Sequence, residues 1–497
     1  MTINKLENFL KRNYLFVILA IASFIIHFAF LSYPNQTIFD EVYFGKFAAA
    51  YFSHQYYFDI HPPLGKLIIA GWAWLTNFDL VFNYDKIGTV ANSQLFFTLR
   101  FLPALFGALF VLIFSTFAYL ATRSKQIALI AGTLILLDNA FLVQSKLTSI
   151  DIFLLFFEIL TFCFFLLYQK EKGYSKKWFA FLALTGISLG LTVSIKLTGL
   201  ATIGILGVIL LAKIFSQKMS EWLSPQNYTN LDQPIFTKKQ NNKTALKYSK
   251  TLKLKEALVA IIIISAIGLL VYMIPFYIHF NFLTKSGPGD AFMSAPWQSE
   301  LKNGRANTPN ALNFWEKFQE LNKSMYKYSA DLTATHPFNS TWSQWPLDNK
   351  PIYYWYQGQT PDNDQKIGKI YFFGNPIIWW LALGAIALTL IKLISRKERL
   401  KITPFMYLLI IGYFANLLPF MGVKRVAFLY HYLPPVMFAI LLLSIYLEKI
   451  WQKDKTTFSA IMLALAIIFA ILTPLSYGWP MTPRLDQFEM KIINSFN

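Results

Sequence analysis

The chain has 497 residues, of which 55% are hydrophobic and only 14% charged. Soluble domains carry about a quarter charged residues, so this composition excludes an ordinary soluble enzyme and predicts a polytopic membrane protein. The net charge of +19 is not taken to indicate nucleic-acid binding, because the basic residues stand in short loops between apolar stretches. The single cysteine, Cys163, lies in an apolar run and is interpreted as a packing residue.

Apolar stretches of roughly 20 residues are long enough to cross a bilayer as helices. The sequence predicts about eleven of them, at 14–33, 94–121, 127–144, 149–168, 178–194, 198–215, 256–278, 376–394, 402–420, 426–447 and 457–475. The first is interpreted as an uncleaved anchor, because its apolar run is long and no small-residue cleavage site follows. The shorter, Trp-rich segment 63–80 is typical of a helix lying at the membrane interface.

Loop charge predicts the orientation of these helices. With the N-terminus in the cytoplasm, the basic loops, including the Lys-rich segment 216–255, all fall inside. Segments 34–93 and 279–375 then lie outside. The predicted organisation is an N-terminal membrane region 1–278 that carries the first outer loop, and an outer cap 279–375. A C-terminal membrane region, 376–497, ends in an outer tail. The connector 216–255 is expected to be flexible, and the aromatic-rich cap to be folded.

Charged residues gather at the predicted outer ends of the helices. A charge in apolar surroundings costs several kcal/mol unless it is paired or wet, so such residues tend to mark a site. Cations there suit a phosphate at the membrane surface, and carboxylates facing them suit a base. The residues concerned are Asp40, Glu41, Asp59, His61, Lys66, Arg100, Lys146, Asp151, Lys196, Lys424 and Arg425. Together they predict transfer of a group from a lipid phosphate to an acceptor outside the membrane.

Several of these residues also have a purely structural interpretation. Lys196 and Lys424 could extend along apolar surface to reach water, and Asp151 could cap the helix that follows it. Glu158, in the middle of a predicted span, could pair with a lysine. The histidines lack metal-ligand spacing, and SGPGD at 286–290 indicates a turn. The sequence has no Walker-type motif, which argues against ATP-driven transport.

Several stretches resemble the protein O-mannosyltransferase family. FDEVYFGKF followed by DIHPPLGKL resembles the first outer loop of that family. The other matching stretches, in family order, are TLRFLPALFG, LDNAFLVQSKLTSIDIFLLFF, VSIKLTGL, HPFNSTWSQWPL with KPIYYW, FGNPIIWW and KRVAFLYHYLPP. The resemblance implies an all-α, GT-C type membrane glycosyltransferase that transfers mannose from polyprenyl-phosphate mannose to Ser/Thr hydroxyls of exported proteins, with inversion. The outer loop is too short for the β-trefoil MIR domain of eukaryotic members, so the chain resembles a bacterial member.

The resemblance also implies roles for particular residues. Asp40 would deprotonate the acceptor hydroxyl, and Glu41 would position the acceptor or the sugar. The positions expected to bind the donor are His61, Lys66, Arg100, Lys196, Lys424, Arg425, Tyr430 and His431. The cap residues His336, Trp342 and Trp345 are expected to hold the acceptor, a hypothesis that rests on composition. The family often has an arginine where this chain has His27, which need not be charged at neutral pH.

No cofactor is firmly predicted, and a divalent cation at Asp40 and Glu41 is left open. The expected partners are the lipid-linked sugar donor and secreted or membrane acceptor proteins, with delivery through the secretion translocon and a dimer left open. No nucleic-acid partner is expected. The resemblance implies location in the cell membrane, with the active site outside the cytoplasm.

Two other functions compete with this interpretation. One is a GT-C transferase that moves a sugar from a polyprenyl phosphate to an outer-leaflet glycolipid. The HPPLGK and FLYHY stretches favour a protein acceptor instead. The other is a secondary transporter with Asp151, Glu158 and Lys196 on its path. Transporters usually show two similar halves and interrupted helices near the midplane, and this sequence has no obvious halves.

Overall fold

A computed structural model describes residues 3–223, 250–331, 335–357, 366–423 and 425–496. The helices of the first range are α1 (Ile3–Phe28), α2 (Glu41–Ser53), α3 (Leu64–Leu75), α4 (Ser93–Thr122), α5 (Lys125–Leu136), α6 (Asn139–Lys146), α7 (Asp151–Lys170), α8 (Lys176–Ile195), α9 (Leu200–Phe215) and α10 (Gln217–Trp222). The later helices are α11 (Lys250–Phe282), α12 (Ala295–Asn303), α13 (Phe314–Asp331), α14 (Pro376–Ile394), α15 (Arg396–Arg399), α16 (Pro404–Leu417), α17 (Leu433–Lys453), α18 (Lys455–Tyr477) and α19 (Pro483–Asn494). Two strands, β1 (Ile352–Gln357) and β2 (Gly368–Phe372), complete the described elements. Most of the predicted connector 216–255 lies outside the described residues.

The described helices confirm a multi-pass, mostly helical membrane protein. Nine are long and apolar enough to span a bilayer, namely α4, α7, α8, α11, α14, α17 and α18, together with α9 and α16 when the short 3-10 helices that adjoin them, Leu197–Gly199 and Leu418–Gly422, are included. The bent pair α5 and α6 would be a tenth span, and the shorter apolar part of α1, Asn13–Phe28, coincides with the first predicted stretch, 14–33. The Trp-rich segment predicted to lie at the interface forms α3, which is also too short to count as a span.

A bend of 61° between α5 and α6 is the main departure from the predicted helices. The sequence suggested one continuous span at 127–144. Asp138 explains the break, because its Oδ1 accepts hydrogen bonds from the backbone N–H groups of Ala140 (3.0 Å) and Phe141 (3.3 Å) and so caps α6. Its Oδ2 accepts a bond from the indole N–H of Trp379 at 2.7 Å. Beyond the bend, Gln144 of α6 contacts Tyr354 of β1.

The predicted first outer loop folds into two short helices that begin directly after its polar motifs. Helix α2 begins at Glu41, and α3 begins after Pro62 and Pro63. The two prolines lie just before α3, at the end of a helix where a missing backbone N–H costs least. Gly65 then lets α3 approach the residues before α7, since a Cβ there would lie 2.5 Å from the Ile150 side chain.

The predicted cap region contains α12, α13 and an antiparallel pair of strands, β1 and β2. The register pairs Ile352 with Phe372 and Tyr353 with Tyr371, and it shifts by one residue before Trp355. Tyr354 is therefore the extra residue of a β-bulge, a feature that re-aims side chains beside active sites.

Candidate active site

Asp40 lies directly before α2, with its side chain half-buried. Within the described part of the chain, its carboxylate makes no hydrogen bond and no ion pair. The residue before it, Phe39, has a φ of +38°, in the left-handed region that residues other than glycine rarely adopt. Such strain persists only where neighbouring groups hold it, and it concentrates at functional sites.

The surroundings of Asp40 set its proton affinity. Burial and the carboxylate of Asp151 raise the pKa of Asp40, the ammonium of Lys196 lowers it, and Asp59 raises it, with a net value of about 7. A carboxylate that titrates near neutrality is suited to accept a proton during a reaction at neutral pH.

Glu41, although adjacent, is fully buried and points into the protein. Its two oxygens accept hydrogen bonds from Nε and Nη2 of Arg100, each at 2.8 Å, in a bidentate pair. The backbone N–H groups of Thr148 (2.9 Å) and Ile38 (3.0 Å) donate to the same carboxylate. In this structure the Glu41 carboxylate is therefore saturated by the protein itself, and its role in positioning the acceptor or the sugar remains a prediction.

Arg100 is equally saturated. A guanidinium has five N–H donors, and those of Arg100 make five hydrogen bonds. Two go to Glu41, and the others go to the backbone carbonyls of Leu31 (3.3 Å), Pro34 (2.8 Å) and Gln36 (2.9 Å). Donor binding by Arg100 remains a prediction, and in this structure all five of its donors are used within the protein. Because Arg100 pairs with Glu41, the carboxylates of Asp40 and Glu41 are not a suitable pair of ligands for a shared divalent cation.

Lys66 likewise has no donor left for a ligand. Its ammonium, fully buried, gives its three N–H groups to the carboxylate of Asp59 (2.7 Å) and to the backbone carbonyls of His61 (2.8 Å) and Pro62 (2.7 Å). The donor contact of Lys66 remains a prediction. In this structure Lys66 fixes the loop that carries His61.

Lys196 differs from these two cations. Among the described residues its ammonium makes one ion pair, with Asp151 at 2.8 Å, and it lies 5.1 Å from the centre of the Tyr430 ring. Two of its N–H groups thus remain for a ligand. Lys196 is 4% exposed, so the alternative in which it extends to water is wrong. Asp151 begins α7 without capping it, so the capping alternative is wrong as well.

Four further predicted donor-binding residues, His61, Arg425, Tyr430 and His431, lie around Lys196. Burial and the positive charges of Lys196, Lys66 and Arg425 lower the pKa of His61 well below its usual value, which keeps this imidazole neutral. The Arg425 guanidinium makes no hydrogen bond or ion pair with any residue that the structure describes, and burial lowers its pKa. The rings of Tyr430 and His431 stack with centroids 4.6 Å apart. Lys424 lies outside the described residues.

The three cap residues are not equivalent. Trp345 is fully buried, donates its indole N–H to Ser340 at 2.9 Å and stacks 5.9 Å from His431. It packs against His431, and the acceptor contact expected of it remains a prediction. Trp342 and His336 are half-buried, and the acceptor role predicted for them remains a prediction.

Two further residues that the sequence singled out, His27 and Glu158, are buried. The ring of His27, where the family often has arginine, bonds the backbone carbonyl of Ser23 at 2.8 Å, and the backbone carbonyl of His27 accepts from Lys146 at 3.3 Å. Glu158 is 1% exposed and forms no ion pair with any described lysine, so that suggested pairing is wrong.

Sequence reasoning missed Gln144 and Tyr354. The Tyr354 hydroxyl donates to Gln144 Oε1 at 2.9 Å, and Gln144 Nε2 donates to Asp151 Oδ2 at 2.9 Å. Both residues stand inside stretches already noted, QSKLTSID and KPIYYW. Because neither is charged, neither stood out among apolar neighbours.

These contacts bring together an unpaired carboxylate, a neutral imidazole and cations whose N–H groups are not used up. Such a set can accept a proton on one side of a reacting carbon and stabilise a departing phosphate on the other. The residues that the sequence grouped with them, Glu41, Lys66 and Arg100, form the frame around the site.

Comparison with known proteins gives two family matches. Residues 17–284, just over half of the chain, match the dolichyl-phosphate-mannose–protein mannosyltransferase model. Residues 314–496 match the C-terminal four-helix membrane region of protein O-mannosyltransferases.

Curated relatives align over the first part of the chain. Dolichyl-phosphate-mannose–protein mannosyltransferase 6 of Saccharomyces cerevisiae is 32% identical over 289 residues, which is 58% of this chain and 35% of the relative. Protein O-mannosyl-transferase 1 of Mus musculus is 30% identical over 281 residues, 56% of this chain and 34% of the relative. The chain thus aligns with about a third of the length of these relatives.

Solved structures agree on the fold. A Saccharomyces cerevisiae protein O-mannosyltransferase complex bound to its sugar donor superposes with a TM-score of 0.83 at 19% identity, over 97% of this chain and 92% of that chain. An archaeal oligosaccharyltransferase from Archaeoglobus fulgidus superposes with a TM-score of 0.53 at 14% identity, over 97% and 60%. These likenesses confirm the GT-C fold.

Proposed function

The chain belongs to the dolichyl-phosphate-mannose–protein mannosyltransferase family, and on that premise we propose that it transfers mannose from a polyprenyl-phosphate donor to Ser or Thr hydroxyls of exported proteins. The observation that carries the proposal is the contrast at one site between a free carboxylate, Asp40, and a partly unsatisfied ammonium, Lys196. An enzyme of this kind needs a proton acceptor and a phosphate-binding cation near one carbon.

The proposed reaction is a single displacement. The acceptor hydroxyl oxygen forms a bond to the anomeric carbon while the bond from that carbon to the phosphate oxygen breaks. The hydroxyl proton passes to Asp40, and the electron pair leaves with the polyprenyl phosphate. Attack opposite the leaving group inverts the anomeric configuration, and no covalent sugar–enzyme intermediate is needed.

The departing phosphate gains negative charge as the bond breaks, and cations already oriented towards it lower the barrier. We assign this role to Lys196 and Arg425, with the neutral imidazole of His61 as a further hydrogen-bond donor. Arg425 is suited to the task because a guanidinium contacts two phosphate oxygens at once. Tyr430 and His431 would line the same pocket.

The orientation given by loop charge puts this pocket on the extracytoplasmic side of the cell membrane. Residues of the cap region lie against it, since Tyr354 of β1 bonds Gln144 and Trp345 packs on His431. We therefore propose that the acceptor is a polypeptide segment that approaches from outside, between the first outer loop and the cap, with Trp342 and His336 along its path.

Transfer of radiolabelled mannose from polyprenyl-phosphate mannose to a Ser/Thr-rich peptide, in membranes containing the protein, tests the proposal. We expect label on the peptide, and none when each Ser and Thr is replaced by Ala. Label on lipid but not on peptide would favour the glycolipid-directed transferase instead. Absence of transfer in membranes that bind the donor would contradict mannose as the transferred group.

A further inference from the structure

Tyr354, on β1, contacts both halves of the proposed site. It is 1% exposed and stands at the β-bulge, where it has no partner in the strand ladder. A bulged residue is free to direct its carbonyl and its side chain to groups outside the sheet. Tyr354 uses both in this way.

On the first side, Tyr354 supports the residue that precedes Asp40. Its backbone carbonyl accepts a hydrogen bond from the Phe39 N–H at 3.2 Å. The two rings stack with centroids 4.2 Å apart and planes 11° apart. Because Phe39 holds a left-handed φ of +38°, these contacts stabilise a backbone conformation that would otherwise relax and move Asp40.

On the second side, Tyr354 begins a chain of hydrogen bonds that ends at Lys196. Its hydroxyl donates to Gln144 Oε1 at 2.9 Å, Gln144 Nε2 donates to Asp151 Oδ2 at 2.9 Å, and Asp151 Oδ1 accepts from Lys196 at 2.8 Å. Gln144 is 2% exposed, and its Nε2 also donates to Ser149 Oγ at 3.2 Å. With its oxygen bound to the phenol, the amide must turn its nitrogen towards Asp151. We call Tyr354, Gln144, Asp151 and Lys196 the relay.

We propose that Tyr354 is a positioning residue that fixes the separation between the Asp40 carboxylate and the Lys196 ammonium, and that Gln144 transmits this position. The inference rests on the proposed function, in which these two groups act on opposite sides of one anomeric carbon. Transfer depends on their relative placement, because an error of about 1 Å can cost about a hundredfold in rate. A strand of the cap thereby takes part in catalysis without touching a reacting atom.

Tyr354→Phe tests the relay, because it removes one hydroxyl and keeps both the ring stack and the backbone bond to Phe39. The Gln144 carbonyl oxygen then has no partner to fix the orientation of the amide, so the positions of Asp151 and Lys196 are less tightly held. We expect the donor KM to rise about tenfold and the peptide KM to stay unchanged. Tyr353→Phe is the matched control, since Tyr353 is the preceding residue of β1 and is only half-buried. It should behave as the wild type does.

A double-mutant cycle with Gln144→Leu gives a second readout. If the relay acts as a unit, Tyr354→Phe should have no further effect on the donor KM once Gln144 is replaced. Independent effects that multiply in the double variant would overturn the relay. So would a Tyr354→Phe variant whose donor KM equals that of Tyr353→Phe, or whose donor KM rises only together with a fall in Tm.

Binding of polyprenyl phosphate without the sugar separates this inference from the proposed function. We expect Tyr354→Phe to weaken that binding about tenfold relative to Tyr353→Phe, whatever sugar is transferred. Equal binding by the two variants would overturn the relay while leaving the transferase in place. A wild type that binds no polyprenyl phosphate would overturn the proposed function, and the relay with it.

Discussion

Asp40 and Glu41 are adjacent in sequence, but their carboxylates differ in how many hydrogen bonds the protein makes to them. Glu41 is locked into a buried bidentate pair with Arg100, whereas the Asp40 carboxylate has no hydrogen-bond partner among the described residues. The cations divide in the same way, with every N–H donor of Arg100 and Lys66 bound by the protein and two donors of Lys196 left over. These charged residues thus fall into two groups. In the frame, formed by Glu41, Arg100 and Lys66, the protein already binds the charged groups, whereas in the reactive set, Asp40 and Lys196, hydrogen-bonding capacity is left for a ligand.

The largest effect should come from breaking the frame. Arg100→Ala leaves the Glu41 carboxylate buried without its partner, and removing one member of a buried pair costs about 3–5 kcal/mol. We expect a pronounced fall in Tm and in the yield of folded protein. Arg100→Lys should recover only part of the loss, because an ammonium cannot bind both carboxylate oxygens in a planar fork. Wild-type stability in Arg100→Ala would contradict the structural role.

The second comparison sets Lys66 against Lys196. Lys66→Met leaves Asp59 buried without its cation, so we expect a lower Tm. Lys196→Met removes a cation with donors to spare, so we expect a donor KM raised about tenfold or more, with a smaller change in Tm. Differential scanning fluorimetry and donor-dependent kinetics on the two purified variants provide both readouts. The reverse pattern would show that the roles are exchanged.

The third prediction concerns pH. Only the deprotonated form of Asp40 can accept a proton, and its pKa is raised to about 7. The rate constant kcat/KM should therefore fall about tenfold per unit as the pH drops below 7, and it should level off above that value. Asp151→Asn should move this limb to lower pH, because it removes a carboxylate that raises the pKa of Asp40. A profile that stays flat between pH 5 and 8 would contradict the assignment of the base.

The smallest effect is expected in the cap. Trp342 is half-buried and Trp345 is fully buried. Trp342→Ala should raise the peptide KM several-fold without altering the donor KM, because an aromatic contact contributes about 0.5–1.5 kcal/mol. Trp345→Ala should instead lower Tm, since it empties space beside His431. An unchanged peptide KM in Trp342→Ala would count against the acceptor path.

The helices could be predicted from the sequence because bilayer thickness imposes their length and apolarity. The break in the helix at Asp138 could not be predicted. Asp138 caps α6 and accepts a hydrogen bond from the indole N–H of Trp379, and Trp379 is distant in sequence. Asp40 and Lys196 were also identified from sequence and resemblance. The structural roles of Lys66 and Arg100 were missed, since a sequence reveals a charge but not how many of its hydrogen bonds the fold already satisfies. Tyr354 was missed because its role depends on a bulge in a strand pairing.

The most direct test of the central claim compares Asp40→Asn with Glu41→Gln, measuring mannosyl transfer and Tm on the same preparations. We predict that Asp40→Asn keeps the wild-type Tm and loses at least about a hundredfold in transfer rate, because a positioned base contributes that much. Glu41→Gln should lose Tm, because it leaves Arg100 buried with its charge uncompensated. An Asp40→Asn variant that transfers mannose at the wild-type rate, or a Glu41→Gln variant that is stable and inactive, would contradict the division between a reactive acid and a structural one.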